Sequence, residues 1–428
     1  MLNPSLKDNF IYRIIIAHYI SSAFFFLIIC FLLSFSGEAF IGHYFHPKIL
    51  AITHFTTLGW ITLIIMGSLY QLIPVITNKK IHSSTLAAFV YFCTLIGTIL
   101  LAVSFWIFEV GFLLELAAGV LFLGITLFVI NILLSIKNSE EKNIVIDFIQ
   151  VSVLWFWLTA FIGMLLAFNF RYAFLPKEHL LYLKIHAHIG LIGWFTCLII
   201  GVASKLIPMF LLSAKINDKP LTISYYLINI GLLGFIIDGL FLNGQERLLG
   251  YVLIIFSGIL FFLRYIANVF KTRVRKKLDI NFKHIYLSFL SISITIVLWI
   301  ISKLNIISDK KIDLQISSAI VFSLLFGFIT LLILGQAFRN LAFIVWINKY
   351  QEVVGKTKTP LPKDLYSERL TIIQLYLFII GFLTTLSGII ISNSLCITIG
   401  ATFLNGTALL YLINIFKIVL HKTKPLAI

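Results

Sequence analysis

Ionisable side chains are costly inside apolar membrane segments, and this sequence places three histidines there with a spacing that can serve a metal. His54 stands in one long apolar stretch, and His186 and His188 stand in another as Ile185-His186-Ala187-His188. Neutral imidazole is the usual axial ligand of haem iron and a common ligand of copper. On a helix two positions advance about 200°, so His186 and His188 point to opposite sides and cannot share one ion while the helix is intact. They can serve two neighbouring centres, or one can bind metal while the other hydrogen-bonds elsewhere. A bis-histidine haem needs donors from two facing helices, which makes His54 and His188 the expected axial pair. The competing reading is a set of buried imidazoles satisfied by carbonyls or water.

His54 and His188 are also sister positions of an internal repeat. A constant step of 134 residues carries Trp60 to Trp194 to Phe328, Gly59 to Gly193 to Gly327, Thr62 to Thr196 to Thr330, and Gly67 to Gly201 to Gly335. The same step carries His54 to His188 and then to Phe322, so the third copy lacks the histidine. A repeat this regular implies three copies of one unit around a pseudo-axis, approximately 1–140, 141–275 and 276–428, within a single membrane domain.

The elements that must position these residues follow from composition. The 428 residues are 60% hydrophobic and 12% charged, with a mean hydropathy of +1.04, which reads as an all-α polytopic membrane protein rather than a soluble domain. About twelve apolar runs are long enough to cross a bilayer: 11–36, 48–76, 85–107, 110–136, 146–170, 180–213, 221–243, 248–270, 283–302, 316–347, 371–392 and 395–420. The first is too long for a signal-peptide core and reads as a retained span. Four spans fill one repeat step, so the repeats are parallel and the repeated helix is the second of each quartet. The net charge of +16 fits cationic loops beside anionic lipid and not nucleic acid. Cys30, Cys93, Cys197 and Cys396 show no CxxC spacing and imply neither disulfides nor a thiolate site.

Loop charges set the expected orientation. One set of alternating connections holds Lys79, Lys80, Lys137, Lys142, Lys215, Lys219, the run Lys271 to Lys277, and Lys349, Lys356, Lys358 and Lys363. The positive-inside bias makes that side cytoplasmic, with both termini there, in a bacterial-type inner membrane. His54, His186 and His188 then lie one to two turns below the outer surface, with Glu115 and Asp238 at a similar level. Those carboxyls are candidates for proton relay or for orienting a ligand histidine, against the plainer reading of buried, hydrogen-bonded acids. Trp60 and Trp194 could line a haem edge or fill a gap. Gln71, Lys205 and Arg339 fall at the inner helix ends, where snorkelling explains the two cations. Pro74 and Pro208 are expected to end their helices. His18 reads as a packing residue, His43 and His46 as interfacial, and His82, His179, His284 and His421 as solvated.

The run from His54 to Pro74, His-Phe-Thr-Thr-Leu-Gly-Trp-Ile-Thr-Leu-Ile-Ile-Met-Gly-Ser-Leu-Tyr-Gln-Leu-Ile-Pro, resembles the second helix of subunit I in the haem-copper oxidase superfamily. The nitric oxide reductases and C-type oxidases are the most similar, with a haem-ligating histidine followed by a Gly-x-x-Tyr-x-Leu-Val-Pro ending. Twelve helices with threefold pseudosymmetry are similar as well. The resemblance implies His54 as an axial ligand, haem b as cofactor, copper as a further candidate, and a cytochrome c or quinol donor with small accessory subunits as partners beside membrane lipid. The chain departs from that family in its tenth span, which has no histidine, and in its seventh, where Ser224 to Ile230 offers none for copper. A full three-histidine copper centre cannot be assembled, which puts oxygen reduction to water in doubt. The histidine- and glycine-rich helices also resemble NnrS-type haem-and-copper membrane proteins linked to nitric oxide stress.

The expected function is therefore electron transfer, or binding or reduction of a diatomic gas (O2 or NO), with haem held by His54 and His188 and His186 serving a second centre. Handling or transport of haem or copper without turnover is the alternative from another class. A structural subunit whose metal site has decayed is the third.

Overall fold

The computed structural model describes residues 8–137, 143–214, 216–242, 247–303 and 310–422, with 310 and 311 by backbone alone. Lys142 and Lys215 of the orientation argument lie outside the described residues. Among the described residues twelve helices are long and apolar enough to cross a membrane, and there is no β-strand. They are span 1 Asn9–Ser34, span 2 Pro47–Thr77, span 3 Ser84–Ile107, span 4 Phe112–Lys137, span 5 Ile144–Tyr172, span 6 His179–Leu211, span 7 Lys219–Leu242, span 8 Leu248–Thr272, span 9 Ile280–Lys303, span 10 Ile312–Val353, span 11 Glu368–Ile390 and span 12 Ser394–Val419. The protein is thus an all-α, multi-pass membrane protein, as the apolar runs required. In hydrocarbon a helix satisfies its own backbone, which is why each run takes this form.

Local chemistry sets the helix ends. Asp8 accepts from the backbone N–H of Phe10 and Ile11 at 2.8 and 3.2 Å, and Asn143, Ser367 and Asn393 cap spans 5, 11 and 12 in the same manner. Pro47 opens span 2, with His46 Nδ1 accepting from the Lys48 N–H at 3.2 Å. Pro74 and Pro208 do not end their helices, which run one turn further to Thr77 and Leu211. Span 10 also overshoots its apolar run, because the last turns to Val353 are polar yet continue the helix.

Spans 2, 6 and 10 share a feature that hydropathy did not foretell. Each contains an eight-residue π-helical segment: Phe55–Thr62, Ile189–Thr196 and Ser323–Thr330. The segments recur at the same 134-residue step, each beginning directly after His54, His188 or Phe322. A π segment widens the turn by one residue and re-aims everything beyond it, and such segments gather at functional sites. In span 2, the carbonyls of Leu50, Ile52 and Thr53 accept from His54, Thr56 and Thr57, so side-chain donors crowd the turns where the wider bonding begins.

The chain divides into two compact units. The first comprises Met1–Leu72, Thr94–Glu109 and Leu278–Ile428; the second comprises Ile73–Cys93 and Val110–Lys277. In the first, Trp60 is fully buried, stacked on Phe26 at 4.6 Å and edge-on to Tyr411 at 5.2 Å, and donates Nε1–H to Thr330 Oγ1 at 3.0 Å. In the second, Trp194 stacks on Phe156 at 4.3 Å in the same way. Close approach is paid for by glycine in both: a Cβ on Gly59 would fall 2.6 Å from Phe25, and one on Gly193 2.6 Å from Trp155.

Candidate metal-ligating histidines

His54 ends the α-helical first part of span 2, one turn past Leu50, whose carbonyl lies 2.7 Å from Nδ1. A carbonyl only accepts, so Nδ1 carries the proton and Nε2 holds the ring's lone pair. The ring lies 5.0 Å from that of Phe105 on span 3. His188 repeats this arrangement in the second unit. Its Nδ1 is 2.8 Å from the Lys184 carbonyl, and its ring is 4.8 Å from Phe235 on span 7. Both imidazoles therefore present Nε2 as the donor atom, the protonation pattern an axial ligand needs.

His186 turns elsewhere. Its Nδ1 meets the Thr159 carbonyl of span 5 at 2.9 Å, and its ring occupies the space left by Gly163, where a Cβ would be 2.9 Å from Cε1. His186 thus faces span 5 while His188 faces span 7, the divergence that helical geometry demands of positions two apart.

Glu115 and Asp238 are buried carboxylates matched with arginines: Arg171 lies 3.5 Å from Glu115, and Arg247 lies 2.9 Å from Asp238. The Nδ1 bonds described above go to backbone carbonyls, so these acids hold ion pairs of their own at the helix ends. Asp238 also opens a further π segment, Asp238–Leu242. Trp60 and Trp194 serve as packing centres, each flat against a phenylalanine.

Two further histidines, His18 and His284, form a pair at a second level. A Cβ on Gly67 would lie 2.8 Å from His18 Cβ, one on Gly201 2.7 Å from Phe148 Cβ, and one on Gly335 2.9 Å from His284 Cβ. His18, Phe148 and His284 are therefore structural sisters on spans 1, 5 and 9. Both histidines are wholly buried, with Nδ1 bonded one turn back to Ile14 at 2.8 Å and Ile280 at 2.9 Å. His284 is thus not solvated: the polar residues Asn281, Lys283 and His284 begin a helix, and its burial comes from close packing of span 9 on Gly335. The sister glycines were the signal that could have found it.

Other expectations also change. His179 opens span 6 and packs against Phe170 at 4.7 Å, and His421 meets the Tyr350 hydroxyl at 2.9 Å, so neither is merely solvated. Arg339 does not snorkel. Its side chain is largely covered, ion-paired with Asp279, and lies 4.1 Å over the Phe282 ring. Among the described residues no group of three or more His, Cys, Asp or Glu side chains is gathered about one point.

No protein-family model matches the chain. It is 29% identical over 154 residues to an uncharacterized protein of Aquifex aeolicus (strain VF5), a match covering 36% of this chain and 35% of that protein. The matched stretch thus spans about a third of that relative's length. On these grounds the protein is a helical, multi-pass membrane protein with histidines set at repeated positions inside its spans.

Proposed function

We propose that the protein is a haem-binding membrane protein in which His54 and His188 are axial ligands, and that it acts in electron transfer or in binding or reducing a diatomic gas, O2 or NO. The supporting observation is the repeated imidazole geometry: Nδ1 on the carbonyl one turn back, at 2.7 and 2.8 Å, at the start of a π segment in two sister helices. That geometry fixes ring orientation and tautomer in advance, so little ordering remains when a metal binds. Haem b, when bound, would supply a one-electron iron centre between the two imidazoles, so a diatomic ligand would be taken by the second centre or after one imidazole leaves the iron. The chain's own part is to hold the rings, exclude water with Phe105 and Phe235, and keep the surroundings apolar. His186, directed at span 5, serves a second centre, copper or a further haem. Loop charge favours an orientation with both termini cytoplasmic in a bacterial-type inner membrane, served by a cytochrome c or quinol donor.

A second reading, handling of haem or copper without turnover, is supported by the ion-pairing of Glu115 and Asp238, which ties up the buried acids nearest the histidine level as structural groups. One measurement separates the two. Full-length protein purified in mild detergent is examined by absorption spectroscopy with metal analysis. A sharp low-spin haem spectrum supports the first reading; colourless protein carrying copper supports the second. Protein with neither, after growth with added haem precursor and copper, overturns both.

A further inference from the structure

The basic run after span 8 is anchored rather than loose. Span 6 ends at Leu211, and Leu212 takes a left-handed backbone (φ 51°) that turns the chain back. Beyond span 8, the Val274 N–H reaches the Leu212 carbonyl at 3.4 Å and the Arg275 N–H reaches the Leu211 carbonyl at 3.2 Å. An antiparallel bridge joins Ser213 to Arg273, and the hydroxyls of Ser213 and Thr272 meet at 2.8 Å. Tyr265 OH donates to the Ser204 carbonyl at 3.3 Å and ties the same two spans one to two turns deeper. The segment 271–277 is thereby fixed across the ends of spans 6 and 8.

This fixed edge carries two chemistries side by side. Lys271, Arg275, Lys276 and Lys277 are exposed, and Arg273 lies with its guanidinium over the Phe270 ring at 5.6 Å. Arg264 is exposed on span 8 about two turns before the run. Interleaved with these are bare apolar side chains, Val274 at 70%, Leu212 at 64% and Met209 at 46% exposure. Asp218, whose charge reaches Tyr265, stands at the same corner, and Asp279, the first acid after the run, is committed to Arg339. A soluble partner would leave the apolar residues wet, and an acidic protein surface would meet mostly hydrocarbon here. A phosphodiester attached to an acyl chain satisfies both sets at once.

We propose that the 271–277 segment, joined to the end of span 6, is a binding site for an anionic phospholipid. Its guanidinium and ammonium groups take the headgroup phosphate, and Met209, Leu212 and Val274 meet the acyl chains. Arginine is suited to the phosphate through paired N–H donors, and lysine adds unoriented charge. The inference is independent of haem.

The test uses full-length protein, delipidated in a neutral detergent, with lipid retention read by native mass spectrometry. Phosphatidylglycerol is titrated against phosphatidylcholine of the same chains. Retention of the anionic lipid should be about tenfold better, and the variant R273Q/R275Q/K276Q should lose about tenfold of it. The charge-matched variant K79Q/K80Q/K137Q should retain it within about twofold, since those residues lie on other connections. Equal retention of the two lipids by the unaltered protein overturns the proposal without any variant. Equal loss in both variants overturns it too, by reducing the effect to net charge. Displacement of the lipid by millimolar inorganic phosphate marks a simple anion site and overturns the lipid assignment.

Discussion

His54 and His188 hold their imidazoles identically: Nδ1 of each sits one turn above a backbone carbonyl, 2.7 Å from Leu50 and 2.8 Å from Lys184, with a phenylalanine ring 5.0 or 4.8 Å away. The two residues lie in different compact units, so the likeness is one of construction, inherited from a shared repeat. Replacing either by alanine should abolish or convert the low-spin haem spectrum of the purified protein, while His18→Ala leaves that band in place. An unchanged spectrum after His54→Ala or His188→Ala removes that residue from the ligand set.

His186 depends on Gly163 for its position. A methyl group there would come within 2.9 Å of Cε1 and 3.3 Å of Nδ1, so the ring must shift from its place beside the Thr159 carbonyl. Gly163→Ala should therefore alter the metal content attributed to His186 as His186→Ala does, and spare the His188 signal. Equal loss at both would mean a general folding defect, which a thermal-unfolding midpoint would reveal.

Glycines in the spans divide into crowded and open positions. Gly193→Ala puts its Cβ 2.6 Å from Trp155 Cγ and 2.7 Å from its Cβ, and should destabilise the fold by about 1–3 kcal/mol. Gly119→Ala, with nothing within 4 Å, should be neutral or stabilise by up to about 1 kcal/mol through helix propensity. Thermal unfolding in one detergent compares the two directly, and equal effects would contradict the packing described.

Phe322 stands where the third copy lacks its histidine. It stacks on Phe326 at 4.7 Å and on Phe382 at 5.8 Å, and Phe382 continues to Phe378 at 6.1 Å. The aromatic column fills the third position, so Phe322→His should lower stability by about 1–3 kcal/mol and add no haem or copper. A gain of one metal equivalent in the variant would show that the position remains able to ligate.

The end of span 12 is pinned by Lys349, whose ammonium donates to the carbonyls of Val419 at 3.1 Å and His421 at 2.6 Å, while Tyr350 OH meets His421 Nδ1 at 2.9 Å. Burial lowers the His421 pKa from its ordinary value of about 6.5, and the neighbouring Lys349 and Lys417 charges lower it further. A depressed folded pKa means that the folded form favours neutral imidazole. The pinning is therefore fully present above the unfolded value and is lost as pH falls toward the folded one. Amide exchange at the end of span 12 should accelerate as pH is lowered below about 6.5, after correction for intrinsic rates, and Tyr350→Phe should weaken that dependence. A pH-independent protection factor would contradict it.

Much of this architecture was legible in the chain, because hydropathy adds along the sequence and a bilayer demands about twenty apolar residues in a row. The twelve spans follow from that, and the 134-residue step from Gly59, Trp60 and Thr62 with their sisters follows by inspection. The opposite aims of His186 and His188 are set by helical rotation alone. Tertiary structure decided the rest. The π segments that follow His54, His188 and Phe322 emerge only in the folded backbone. His284 reads as a residue of a polar helix start until Gly335 brings another helix against its Cβ. Arg339 reads as a snorkelling cation until Asp279 and Phe282 close over it. Burial is a property of neighbours, and the neighbours here are far apart in the chain.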